Sequence, residues 1–86
     1  MTPVEALREA ALAGRAQQFE VSRHALQRMG ERNVTRLDIC SALKTATSAT
    51  CENETKWRLA GGHDLDGDAI ELVVVLTGRC LVVTVL

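Results

Sequence analysis

The chain has 86 residues, a formal net charge of −1, one Phe, one Trp and no Tyr. This length fits one domain over residues 1–86 with a small core. The near-neutral charge argues against a strongly basic nucleic-acid binder, and the shortage of aromatic residues argues against binding by base stacking. The three widely spaced cysteines predict free thiols in the cytoplasm. No apolar run is long enough to span a membrane.

The first half of the chain carries helix signals. Thr2 and Glu5 can form a capping box, which predicts a first helix that ends near Gly14. Residues 19–21 alternate apolar and polar residues and predict a short strand.

Two more helices are predicted before the strands of the second half. Ser22 is a good N-cap for a helix over Arg23–Arg32, and Asn33 tolerates the left-handed conformation that closes a helix. Thr35 is the predicted N-cap of the third helix. Residues 45–53 are small and polar, which predicts a loop.

The second half predicts strands at residues 56–59, Ala69–Leu76 and Cys80–Leu86. The apolar run Leu72–Leu76 would be unprotected at a sheet edge, so this strand is expected in the interior. Helices followed by strands predict an α+β fold, with N-terminal helices packed on one face of a three- to four-stranded antiparallel sheet. The predicted core includes Leu26, Met29, Leu43, Trp57, Val73, Val75 and Val83.

The second predicted helix, α2 over Arg23–Arg32, carries His24, Arg28 and Arg32 at four-residue intervals. Such steps place side chains along one helix face, and we call this set the α2 ridge. Arginine binds phosphate, and histidine can transfer a proton near neutral pH. The α2 ridge is therefore a candidate catalytic site. An inert histidine beside a solvated face of ion pairs remains the alternative interpretation.

Three more residues are candidates for substrate binding. Lys56 and Arg58 alternate with Trp57 and Leu59, so both should face away from the Trp57 ring. They would complete a basic cleft if that face meets the α2 ridge, and would otherwise be ordinary polar residues of an edge strand. Thr84 is the one polar residue within the last apolar strand. Its hydroxyl either bonds to backbone or points into the cleft.

A second histidine, His63, lies beside Asp64 and Asp66 in a glycine-rich segment. The acidic run lacks the downstream glutamate of a calcium-binding loop, so it predicts a turn rather than a metal site. We expect no metal and no organic cofactor.

Residues 22–35 read SRHALQRMGERNVT, residues 57–61 read WRLAG and residues 82–85 read VVTV. Together these segments resemble the small bacterial domain of unknown function 4258, over most of the chain. Asn33 stands where that family usually has glycine, and Leu86 stands where members often carry Tyr or continue.

The resemblance implies the fold of the RelE, ParE and barnase-like toxins and ribonucleases. It thus implies a metal-independent endoribonuclease toxin, silenced by a cognate antitoxin protein. His24 would move a proton as a ribose 2′-hydroxyl attacks the adjacent phosphate, while Arg28 and Arg32 stabilise the charge. The alternative is a non-catalytic protein-binding module of the same fold, such as a degenerate toxin, an inhibitor or a gyrase-poison-like protein. The near-neutral charge favours this alternative.

Overall fold

The computed structural model describes residues 1–86 as an α+β domain of three helices and five strands. The order of the elements is α1 (Pro3–Ala16), β1 (Glu20–Val21), α2 (Arg23–Arg32), α3 (Arg36–Thr45), β2 (Ser48–Asn53), β3 (Lys56–His63), β4 (Ala69–Leu76) and β5 (Cys80–Val85). No helix is both long enough and apolar enough to cross a membrane.

The predicted helix starts are confirmed. Thr2 and Thr35 both form capping boxes, and the Ser22 side chain accepts a hydrogen bond from the N–H of Ala25. Asn33 ends α2 in the left-handed region, with φ of 56°. Local hydrogen bonds of this kind need no tertiary context, which is why the sequence predicts them.

The predicted end of α1 is wrong. The helix passes Gly14 and ends at Ala16, followed by Gln17 in the left-handed conformation. Gly14 instead allows α1 to approach α3 closely. A Cβ atom at this position would lie only 2.9 Å from both the carbonyl oxygen of Cys40 and the Cβ of Leu43.

The sheet has five strands in the order β1-β5-β4-β3-β2, rather than three to four. β1 pairs parallel to β5, and the other neighbours pair antiparallel. The additional antiparallel strand is β2, which lies in the segment predicted as a loop. Its side chains are mostly exposed, so the strand has no apolar alternation, and backbone pairing to β3 holds it in place.

The interior position of β4, between β3 and β5, is confirmed. Its residues Ile70, Leu72, Val74 and Leu76 face a core to which all three helices contribute. Glu71, Val73 and Val75 point to the opposite face because side chains alternate along a strand. No helix covers that second face, which we call the open face. The largest fully buried side chains are Ile39, Leu43, Leu59, Leu72, Val74, Val82 and Val85.

The predicted core is confirmed in part. Met29, Leu43 and Trp57 are buried together in it, and Val73 is buried on the open face. Leu26 is 61% exposed, so its assignment to the core is wrong. The reason is that α2 packs mainly beside β5 and buries only a narrow stripe of its surface. The other two predicted residues, Val75 and Val83, are half-buried.

Candidate functional site

The open face contains a depression of about 360 Å³, which we call the open-face depression. It brings together four of the site residues that were predicted from the sequence, on α2, β3 and β5. They are His24, Lys56, Arg58 and Thr84. They are accompanied by one acidic and three apolar residues. The lining consists of His24, Glu52, Lys56, Arg58, Val73, Val83, Thr84 and Leu86.

A β-bulge in β2 forms one margin of the depression. Cys51 lies opposite Trp57 and Asn53 lies opposite Lys56, so Glu52 is the extra residue of the bulge. A bulge re-aims a side chain and is common beside active sites. Here the extra residue is the only carboxylate in the lining of the depression.

A second bulge, in β5, contributes to the other side. Val74 lies opposite Val82 and Val73 lies opposite Thr84, which leaves Val83 as the extra residue. Val83 and Thr84 both line the depression. The bulges in β2 and β5 thus both place residues in the lining of the depression.

Lys56 and Arg58 provide the positive charge of the depression. They are two residues apart on β3 and share its open face. The Arg58 Nε and Nη2 atoms donate to Glu71 Oε2 at 3.1 Å and 3.0 Å, which fixes the guanidinium. Lys56 is half-buried and makes no ion pair in the structure. β3 is not an edge strand, because β2 pairs with its outer side.

His24 reaches the depression because Ser22 fixes the start of α2. The Ser22 Oγ donates to the carbonyl oxygen of Val83 at 2.9 Å and accepts from the N–H of Ala25 at 3.0 Å. The His24 ring is exposed and makes no hydrogen bond within the protein. Its nitrogens are therefore free to bind a substrate. The positive end of the α2 dipole also favours an anion here.

The structure does not bring Arg28 and Arg32 into the depression. The Arg28 Nε donates to the carbonyl oxygen of Val85 at 3.2 Å, and its Nη1 lies 3.4 Å from Glu31 Oε1. Arg28 thereby covers part of the β5 edge beyond the short strand β1. Arg32 is exposed at the end of α2 and has no ion-pair partner. Each four-residue step advances about 6 Å along the helix, so the α2 ridge leaves the depression after His24.

The apolar floor and Glu52 were not predicted from the sequence. What we call the apolar floor is the apolar part of the lining, which consists of Val73, Val83 and Leu86. Apolar residues in strands give no signal of which face is uncovered. A bulge is a property of the pairing register, so no local pattern pointed to Glu52.

The predicted turn is present but begins after His63, because β3 extends past its predicted end at residue 59 and includes His63 as its last residue. Asp64 Oδ1 accepts hydrogen bonds from the N–H groups of Asp66 and Asp68, each at 2.9 Å. The structure contains no group of three or more His, Cys, Asp or Glu side chains arranged to hold a metal ion. His63 Nδ1 lies 3.0 Å from the carbonyl oxygen of Asp64.

The clearest pKa shifts lie away from the depression. Burial, with a smaller contribution from Glu9, raises the pKa of the Cys80 thiol to about 11. Hydrogen bonds from the N–H groups of Thr35 and Leu65 lower the pKa of Asp38. Hydrogen bonds from Thr2 lower the pKa of Glu5 in the same way. These groups serve helix capping and packing.

Residues 21–86 match the family described as Domain of unknown function (DUF4258). This chain is a DUF4258 protein. The matched range contains every residue that lines the depression, so α1 contributes no residue to the lining. No curated protein and no solved structure matches this chain.

Proposed function

We propose that this DUF4258 protein is a metal-independent endoribonuclease that binds single-stranded RNA in the open-face depression. The observation that supports this proposal is the meeting of His24 with Lys56, Arg58 and Thr84, which come from three separate elements. One side chain able to move a proton thus shares the lining of a depression with two cations and a hydroxyl. That set matches the needs of phosphodiester cleavage.

The reaction is attack of a ribose 2′-hydroxyl on the adjacent phosphorus, which breaks the bond from phosphorus to the 5′-oxygen and leaves a 2′,3′-cyclic phosphate and a free 5′-hydroxyl. In this reaction the 2′-hydroxyl loses a proton and the 5′-oxygen gains one. Negative charge builds on the phosphate oxygens in the transition state, where Lys56 and Arg58 stabilise it. Arg58 is held in position by Glu71 before RNA arrives, so little rearrangement is needed. His24 transfers the proton, and the apolar floor packs against the sugar or base.

The two arginines of the α2 ridge take different parts in this proposal. Arg28 secures α2 against β5 and so helps to place His24. Arg32 adds positive charge on the approach to the depression, which raises the rate of encounter with an anionic chain. Neither arginine is needed at the scissile phosphate.

We further propose that the protein is a cytoplasmic toxin restrained by a cognate antitoxin. The resemblance to the RelE, ParE and barnase-like group implies this role. An antitoxin that covers the open face would block the depression and bury its apolar floor. The three free thiols suit the reducing cytoplasm.

A non-catalytic protein-binding module is the second candidate function. The observation that favours it is the carboxylate content of the site. Glu71 neutralises Arg58, and Glu52 lies in the lining. Both acids weaken the attraction of the depression for phosphate.

RNA cleavage by the purified chain decides between the two candidates. We expect cleavage of a labelled single-stranded RNA in EDTA, and none of the matching DNA, which lacks the 2′-hydroxyl. The His24→Ala change should reduce the rate by about 10²–10⁴-fold. Lys56→Ala should weaken RNA binding, and the slope of log affinity against log salt concentration should become shallower by about 0.7, because one phosphate loses its cation.

His63→Ala is the matched control, because His63 does not line the depression. It should leave cleavage unchanged. Wild-type protein that neither binds nor cleaves RNA would overturn the ribonuclease proposal and favour the binding module.

A further inference from the structure

β2 forms an edge of the sheet whose outer side has no partner strand. It pairs with β3 on one side only, and all of its residues except Ala49 are exposed, so no helix covers it. Backbone N–H and C=O groups on the outer side of an edge strand can pair with a strand of another chain. Residues 48–51 include neither the lysine nor the proline that commonly protects such an edge. The bulge at Glu52 limits regular pairing to these four residues.

The opposite edge of the sheet is closed. β1 has only two residues, and α2 packs beside β5 next to it. The Arg28 Nε donates to the carbonyl oxygen of Val85, so a side chain occupies part of that edge. A strand that joins this sheet therefore has one edge available. When the joining strand is β2 of a second copy, the contact is isologous, and it closes as a dimer instead of growing into a filament.

The charges around β2 favour a second copy in antiparallel orientation. Lys44 lies four residues before the strand, Glu52 lies near its end and Glu54 follows it. All three side chains are exposed and form no ion pair. Residues 45–51 between them carry no charge. Antiparallel pairing brings the basic start of each segment beside the acidic end of the other, so opposite charges meet at both ends of the contact.

We propose that two copies of this chain associate through β2, as an antiparallel pair around a two-fold axis near Thr50. The two five-stranded sheets then form one continuous sheet of ten strands. A two-fold axis between antiparallel strands is perpendicular to the sheet, so both open faces lie on the same side of the dimer. The pairing segment is short, and the buried area is therefore at the low end for specific interfaces. The dimer exchanges with monomer, and its formation requires neither RNA nor catalysis.

The first test is the mass of the purified chain in analytical ultracentrifugation. The buffer contains a reducing agent, because the exposed Cys51 would otherwise be able to link two chains through a disulfide. The mass should rise from one chain toward two between about 10 μM and 1 mM. Wild type that remains a single chain over this range would overturn the proposal.

Thr50→Glu tests the position of the axis. Two carboxylates would face each other across the dimer, so association should weaken by about 10-fold or more. The monomer should stay folded, because Thr50 is exposed and lies opposite Arg58, which can pair with the new carboxylate. Thr77→Glu is the matched control, with the same change at an exposed position between β4 and β5. Equal association of the two variants would show that Thr50 lies outside the interface.

A charge exchange tests the antiparallel orientation. Lys44→Glu and Glu54→Lys each place like charges together in a dimer of identical copies, so each variant alone should associate about 10-fold more weakly than wild type. An equimolar mixture of the two restores opposite charges at both ends and should recover the wild-type affinity. Circular dichroism checks that both variants are folded. Single variants that associate as wild type does, or a mixture that fails to recover, would overturn the arrangement.

Amide hydrogen exchange locates the contact on the chain. Raising the protein concentration should slow exchange within residues 48–51 of wild type, because strand pairing protects N–H groups. Thr50→Glu should show no such slowing, and exchange around Gly78 should not depend on concentration in either protein. A dimer that protects α2 or the open face instead would overturn the β2 interface. None of these measurements uses RNA, so the proposal stands or fails independently of the proposed function.

Discussion

Ser22 joins the start of α2 to β5 through Val83, the extra residue of the β5 bulge. Its Oγ donates to the Val83 carbonyl oxygen at 2.9 Å while also capping α2. The Ser22 N–H donates to the carbonyl oxygen of Val82 at 2.9 Å. One serine therefore fixes both the helix end that carries His24 and the strand irregularity that lines the same depression.

We predict that Ser22→Ala destabilises the protein by about 1 kcal/mol, the usual cost of losing an N-cap side chain. The change should also weaken RNA binding, because His24 loses its anchor to β5. Urea unfolding and RNA titration measure the two effects. The control is Ser48→Ala, at an exposed position whose side chain makes no hydrogen bond. Equal effects of the two changes would show that the Ser22–Val83 hydrogen bond does not position the site.

Leu43→Ala and Leu26→Ala form a second comparison. Leu43 is 1% exposed between α3 and the sheet, whereas Leu26 is 61% exposed on α2. Truncation at Leu43 should cost about 2–4 kcal/mol, since it removes buried area and leaves a cavity. Truncation at Leu26 should change stability by less than about 0.5 kcal/mol. A similar loss at both positions would contradict the narrow buried stripe of α2.

These two leucines show where sequence patterns reach their limit. Both occur in helices with clear caps, and both have apolar neighbours at helical spacing. Helix capping depends on residues that are three positions apart, so it can be predicted from the sequence. The width of the buried stripe depends on where the helix docks. Because α2 lies along β5 at the margin of the helical layer, Leu26 stays in solvent.

The candidate site, too, could be predicted from the sequence only in part. The alternation along β3 correctly placed Lys56 and Arg58 on one face. Their meeting with His24 depends on the strand order and on Ser22, which are tertiary features. Glu52 depends on a bulge in an edge strand that carries no apolar alternation. Local spacing therefore predicted the types of side chain in the site, but not all of the residues that line it.

Two helical glycines should respond in opposite directions to alanine. Gly14→Ala places a methyl group 2.9 Å from backbone and side-chain atoms of α3. The clash between α1 and α3 should cost about 1–3 kcal/mol. Gly30 lies on the exposed side of α2, with no atom within 4 Å of an added Cβ. Gly30→Ala should stabilise by roughly 0.5–1 kcal/mol through helix propensity, and thermal unfolding of both variants tests the contrast.

The three thiols should react at different rates with an alkylating reagent in mildly alkaline buffer. Cys51 is exposed, whereas Cys40 and Cys80 are buried. The pKa of Cys80 is raised to about 11, chiefly by burial, so it holds little thiolate under these conditions. Mass spectrometry should find one modified cysteine in the folded protein and three after unfolding. Rapid modification of Cys80 in folded protein would contradict its burial.

Asp38 should make stability depend on acid pH. Its Oδ2 accepts from the N–H of Thr35 at 2.9 Å and its Oδ1 from the N–H of Leu65 at 3.1 Å. These bonds lower the pKa of the folded carboxyl group. Stabilisation is therefore complete above the unfolded pKa and is lost as the pH falls through the lower, folded value. Asp38→Asn should unfold at less urea than wild type at neutral pH, and the gap should close at about pH 2. Asp66→Asn is the control, because the Asp66 carboxylate makes no hydrogen bond; a gap for Asp38→Asn that persists unchanged in acid would show that this carboxylate does not act through its charge.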